Sequence, residues 1–134
     1  MNVLLINPIM GINDLPNVPP LGLYYIYHSL KEEGYSVQIL DIDGYRYSEE
    51  KVCELVGSRP VDIVGIGGLS TVYPHLYFLV PLIRKLHPDA KIVLGGAVAS
   101  SMKERCFEKF DIDYEVIGEG EETMIELLRE IQTT

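Results

Sequence analysis

Five short strand-like runs alternate with five helix-like runs along this chain, and that alternation constrains its fold more than any other feature. The strands are predicted at Val3–Asn7, Ser36–Asp41, Asp62–Ile66, Lys91–Leu94 and Tyr114–Ile117. Three of these runs, VLLIN, DIVGI and KIVL, are nearly continuous apolar stretches rather than alternating ones. Parallel strands covered by helices on both faces have that pattern, because neither face meets water. Ser36–Asp41 is interrupted by Gln38 and reads as an edge strand.

Between the strands the apolar period changes to that of a helix. Leu23, Ile26, Tyr27 and Leu30 share one face of a helix from Leu21 to Glu33, which stops at Gly34, a residue that tolerates the left-handed conformation of a helix end. A second helix, Ser48 to Val56, buries Val52, Leu55 and Val56, and a third, Val72 to Leu86, buries Leu76, Leu79, Val80 and Ile83. Pro81 lies inside the third and predicts a kink or a later start, since proline removes a backbone donor. The fourth carries Met102, Cys106 and Phe110, and the last, Glu121 to Ile131, carries Met124, Ile125, Leu128 and Ile131. Right-handed crossovers then close the α/β chain into a flavodoxin-like (Rossmann-like) three-layer sandwich. Its parallel sheet is predicted to have five strands in the order 2-1-3-4-5, with a ligand beyond their carboxyl ends near the first and third.

Composition narrows the function classes. At 134 residues a single domain spanning 1–134 is expected, and 47% hydrophobic against 23% charged residues is globular. No run of about 18 apolar residues offers a membrane span, and no leader precedes the first strand, so a soluble cytoplasmic protein is expected. A net charge of −9, with no basic stripe, argues against nucleic acid. Cys53 and Cys106 fall on separate helices outside any metal-ligand spacing and read as buried thiols.

The informative residues should follow the strands. After the first comes a long proline-rich connection from Pro8 to Gly22, where a few residues would suffice. After the third comes Gly67-Gly68-Leu69-Ser70-Thr71, after the fourth Gly95-Gly96-Ala97, and after the fifth Gly118-Glu119-Gly120. Any one of these could be tight-turn geometry; three neighbouring strand ends stripped of side-chain bulk favour a shallow slot for a flat or threaded ligand. A dinucleotide site would need G-x-G-x-x-G where the chain has Pro8 and Gly11, and a phospho-accepting receiver would need an Asp where it has Gly67. Acids around Gly118 and Gly120 oppose an anion there. Asp41-x-Asp43 could bind a hard cation but reads more simply as a solvated turn.

The run Val61-Asp-Ile-Val-Gly-Ile-Gly-Gly-Leu-Ser-Thr71, followed by Lys91-Ile-Val-Leu-Gly-Gly-Ala97 and Val116-Ile-Gly-Glu-Gly-Glu-Glu-Thr123, resembles the cobalamin-binding domain that precedes radical S-adenosylmethionine (radical SAM) domains. Val3-Leu-Leu-Ile-Asn-Pro8 and Val18-Pro-Pro-Leu-Gly-Leu-Tyr24 fit the same family, so the resemblance spans nearly the whole chain. The superfamily includes methyltransferases and the anaerobic magnesium-protoporphyrin monomethyl ester cyclase, an oxidoreductase.

The resemblance implies cobalamin as cofactor, in its extended form, with the cobalt-bearing corrin over the carboxyl edge and the nucleotide tail threaded beside the core. Gly95 and Gly96 would line the tail channel, Gly67, Leu69, Ser70 and Thr71 would contact the tail or its base, and Gly118, Glu119 and Gly120 would border the base and ribose. Pro8 and Ala97 complete the implied cofactor-binding set. Ser70 and Thr71 suit helix N-caps equally well by type and position.

The chain departs from the broader pattern at two places: the loop 8–17 has no histidine for a D-x-H-x-x-G motif, and the S-x-L motif becomes Gly67-Gly68-Leu69. No His lower ligand is therefore implied from the first loop, and no metal ligand or catalytic residue is assigned. His75 is the one histidine placed near the edge; His28 and His87 read as structural or solvated. S-adenosylmethionine and a 4Fe-4S cluster are expected only in a radical SAM domain covalently following Thr134, because the chain lacks a C-x-x-x-C-x-x-C motif. A cofactor-free interaction or regulatory domain of such an enzyme is the alternative, and an unrelated small-molecule binder of the same fold a third.

Overall fold

In the computed structural model, which describes residues 1–9, 20–68, 72–118 and 120–133, the first apolar run forms β1 (Asn2–Asn7) at the heart of a parallel sheet. Its neighbours are β2 (Ser36–Asp41) on one side and β3 (Ile63–Ile66) on the other, with Val3 opposite both Val37 and Ile63. Beyond β3 lie β4 (Lys91–Leu94) and β5 (Tyr114–Glu115), giving the order β2-β1-β3-β4-β5 expected from the alternation. β5 supplies only two residues, pairing Val93 with Tyr114 and Leu94 with Glu115.

Successive side chains of a strand point to opposite faces, and the apolar runs divide accordingly. Val3, Leu5, Ile63 and Val93 pack under α1 (Leu21–Glu32) and α7 (Glu121–Thr133), where Leu23, Leu30, Met124 and Leu128 are buried. Leu4, Ile6, Val64, Ile66, Ile92 and Leu94 face the other layer. That layer comprises α2 (Ile42–Tyr45), α3 (Glu49–Gly57), α4 (Tyr73–Leu86), α5 (Gly96–Met102) and α6 (Arg105–Lys109). Gly65, whose absent side chain belongs to the α1/α7 face, leaves room for Leu5 and Met124: a Cβ there would lie 2.9 Å from Leu5 Cδ2.

Local chemistry sets the boundaries. Ser48 caps α3 by accepting the Lys51 N–H at 3.2 Å, and Gly34 (φ +93°) ends α1 with its N–H bonded to the Lys31 carbonyl. α4 starts at Tyr73 and runs unbroken through Pro81, so the proline does not delay it; what Pro81 removes is the helical bond to the Tyr77 carbonyl. The predicted fourth helix is instead two, α5 and α6, because Lys103 (φ 48°) turns left-handed between them. α2 is an addition to the expected set, and the last strand is shorter than the predicted Tyr114–Ile117.

At the amino ends of the strands Arg84 of α4 is a fastener. It donates to the Ala90 carbonyl at 2.9 Å, the Asp111 carbonyl at 3.0 Å and Asp113 Oδ2 at 2.9 Å, and Asp113 Oδ2 also accepts the Ile92 N–H at 2.8 Å. His87 joins α4 to α3 by donating from Nε2 to the Val56 carbonyl at 2.7 Å. Among the described residues no helix is long and apolar enough to cross a membrane.

Candidate functional site

Because the strands are parallel and in register, their carboxyl ends form one edge: Asn7 is level with Asp41, Ile66 with Ile6 and Leu94, and Leu94 with Glu115. The chain leaving each strand is knitted to its neighbour by backbone bonds. Gly95 N–H donates to the Ile66 carbonyl at 2.8 Å, Val98 N–H to the Gly68 carbonyl at 3.1 Å, and Val116 N–H to the Leu94 carbonyl at 2.8 Å. The structure thus brings Gly67, Gly68, Gly95, Gly96 and Ala97 together, with Gly118 and Gly120 beyond them.

The glycines are not equivalent. Gly96 has φ +74°, and a Cβ on it would lie 2.8 Å from Gly68 N and 2.9 Å from Gly68 O, so its bareness is consumed by the close approach of two main chains. A Cβ on Gly67 or Gly95 would meet only ordinary contacts, Leu23 Cδ2 and the Val116 carbonyl oxygen, each at 3.7 Å. Gly118 (φ +89°) faces open space. Gly96, Ala97 and Gly118 are exposed, Gly67, Gly95 and Gly120 half-buried, and Pro8 is buried where β1 ends. Leu69, Ser70, Thr71 and Glu119, with the connection 10–19, lie outside the described residues.

Around the end of β1 is a polar arrangement the residue pattern did not announce. Asn7, 1% exposed, donates from Nδ2 to Asp41 Oδ1 at 2.8 Å, and the same oxygen caps α2 by accepting the Gly44 N–H at 2.8 Å. Asp43 is also 1% exposed and pairs with Arg46 at 2.9 Å. The expected solvated turn at Asp41-x-Asp43 is therefore corrected: Arg46, with φ 52°, folds back over Asp43 and takes it out of water. Pro8 has no N–H, and the next donor, Ile9 N–H, reaches His75 Nδ1 on α4 at 2.9 Å. The His75 ring stacks on Phe78, and burial pushes its pKa below the ordinary value against the opposing pull of Asp43.

Other reactive groups are held quiet. Cys106 is buried, and desolvation together with the neighbouring Glu115 carboxylate pushes its thiol up to about 12, leaving it protonated at neutral pH. Cys53 is half-buried. His28 is exposed against Tyr27. Among the described residues no group of three or more His, Cys, Asp or Glu side chains could hold a metal ion.

Residues 9–128 match the family described as B12 binding domain. The chain is 32% identical to cytidylyl-2-hydroxyethylphosphonate methyltransferase from Streptomyces wedmorensis, over 92% of this chain and 27% of the relative. It is 27% identical to anaerobic magnesium-protoporphyrin IX monomethyl ester cyclase from Synechocystis, over 98% of this chain and 28% of the relative. The radical S-adenosylmethionine methyltransferase TsrM from Kitasatospora setae, solved with cobalamin and a 4Fe-4S cluster bound, superposes with a TM-score of 0.81 at 26% identity, covering 98% of this chain and 24% of TsrM. The chain thus spans about a quarter of the length of these relatives.

Proposed function

This chain belongs to the B12 binding domain family, and from that premise we propose that it holds cobalamin along the carboxyl edge of its sheet and positions it for a following radical SAM domain. The observation that supports the reading most is the row of glycines after three neighbouring strands, where Gly67 and Gly95 have room for no more than ordinary contacts and Gly118 faces open space. A broad corrinoid fringed with amides can lie on such an edge without displacing bulk. Among the described residues α1 starts there without a side-chain cap, so its first N–H groups can meet acceptors. The edge therefore fits the group chemically.

The roles are those the family resemblance implies. Gly95 and Gly96 border the nucleotide tail, Gly67, Leu69, Ser70 and Thr71 contact the tail or its base, and Gly118, Glu119 and Gly120 flank base and ribose. Pro8 and Ala97 complete the cofactor-binding set. When bound, cobalamin supplies a cobalt centre able to carry a methyl group; the residues of this chain bind and orient it. No His lower ligand comes from the first loop, which has no histidine, and His75 Nδ1 is already engaged by Ile9. S-adenosylmethionine chemistry belongs to a following domain of a cytoplasmic methyltransferase or oxidative cyclase, to which this segment contributes no catalytic residue.

One observation favours a second reading, a cofactor-free interaction domain of such an enzyme: the bareness of Gly96 is explained by its packing on Gly68 alone. A single experiment separates the two. The protein is mixed with aquacobalamin, desalted, and examined for a retained corrin absorption spectrum. Under the first reading the wild type and Gly95→Ala retain it while Gly95→Phe does not. A folded wild type that elutes colourless overturns the first reading in favour of the second.

A further inference from the structure

The chain leaving β1 is tied on both sides at its root. Asn7 reaches sideways to Asp41 at the end of β2, and two residues later Ile9 N–H reaches across to His75 on α4. Between them Pro8 fixes its own φ and offers no donor. Ile9 itself packs against the α2–α6 core layer, and His75 is backed by Phe78. The described residues that leave β1, Asn7 to Ile9, are thus held by two hydrogen bonds and one ring. Of these the bond to His75 spans 66 residues of sequence.

We infer that His75 is a positioning residue for cofactor binding, a latch whose Nδ1 lone pair holds Ile9, two residues beyond the end of β1, beside the carboxyl edge. The inference rests on the cobalamin reading given above, and concerns a residue that reading leaves aside. An Nδ1 that accepts from Ile9 fixes the neutral ring as the Nε2–H tautomer. The same assignment removes Nδ1 from any coordination of cobalt. Protonation at Nδ1 would set N–H against N–H and open the latch. The described charge facing the ring is Asp43 of α2, itself paired with Arg46; Phe78 on the ring's own helix carries none.

The test uses His75→Phe, which keeps a ring for Phe78 but has no acceptor, and His75→Asn, whose side-chain oxygen can replace Nδ1. The readouts are aquacobalamin titration by absorbance and hydrogen-exchange protection of the Ile9 amide by NMR. His75→Phe is expected to weaken binding about fivefold, the scale of one net hydrogen bond, and to strip protection from Ile9. His75→Asn should restore both. An Ile9 amide equally protected in wild type and His75→Phe overturns the latch, and so does unchanged affinity in His75→Phe. A wild type that fails to bind cobalamin refutes the binding reading and leaves Ile9 protection to decide the latch. Should His75→Phe not fold, imidazole nitrogen shifts of the wild type decide: an Nδ1–H tautomer is incompatible with the latch.

Discussion

Gly96 and Gly68 approach so closely that a Cβ on the first would sit 2.8 Å from the main-chain nitrogen of the second. The β3–α4 and β4–α5 connections therefore pack main chain on main chain. Neither neighbour can give way, because the contact is backbone and Val98 N–H already holds Gly68 in place.

Gly96→Ala is expected to destabilise the fold by about 1–3 kcal/mol through its left-handed conformation alone, and further through this contact. Gly95→Ala has extended geometry and ordinary contacts, and should stay within about 1 kcal/mol of wild type. Urea unfolding of the pair measures both, and equal midpoints would contradict the assignment of the close approach to Gly96.

At the opposite end of the sheet, Asp113→Ala leaves the Arg84 guanidinium and the Ile92 N–H without their shared acceptor. The expected loss is about 1–3 kcal/mol, since half-buried donors stripped of a partner keep part of their desolvation cost. Cobalamin retention should be unchanged at saturating cofactor, because the site lies at the other ends of the strands.

The His75 pKa lies below the ordinary 6.5, chiefly through burial, so the unfolded chain binds a proton that the folded chain refuses. Its contribution to stability is complete above pH 6.5 and is lost as pH falls through the lower, folded value. Wild type should accordingly lose stability more steeply than His75→Asn over that window, by up to about one proton's worth of slope. Parallel pH profiles of the two proteins would refute this.

With its thiol pushed up to about 12, Cys106 should resist a thiol reagent in the native protein at pH 8 and react only on unfolding. Half-buried Cys53 should react first. Two thiols titrating at the same rate under native conditions would contradict the burial of Cys106.

Strand positions were legible because VLLIN, DIVGI and KIVL are short, nearly continuous apolar runs alternating with helical periods, as in a doubly covered sheet, and the order followed from right-handed crossovers. The break between α5 and α6 was not, because Lys103 adopts its left-handed turn without a glycine or proline to mark it. Ile117, predicted to continue β5, is 53% exposed where the chain turns at Gly118. At the site, sequence indicated that bulk is missing after three strands but not what each absence serves. Whether a bare position faces a neighbour or open space depends on distant chain, as Gly96 against Gly68 shows. The bonds from Asn7 to Asp41 and from Ile9 to His75 were hidden for the same reason: each joins residues with no local pattern in common.

The two-residue length of β5 has a bearing on solubility. A foreign strand approaching that margin finds scarcely one repeat of unpaired amides and carbonyls before the chain veers into α7, too little to template an intermolecular ladder. The sheet is in this way self-terminating on that flank, and growth of ordered aggregates would have to begin elsewhere.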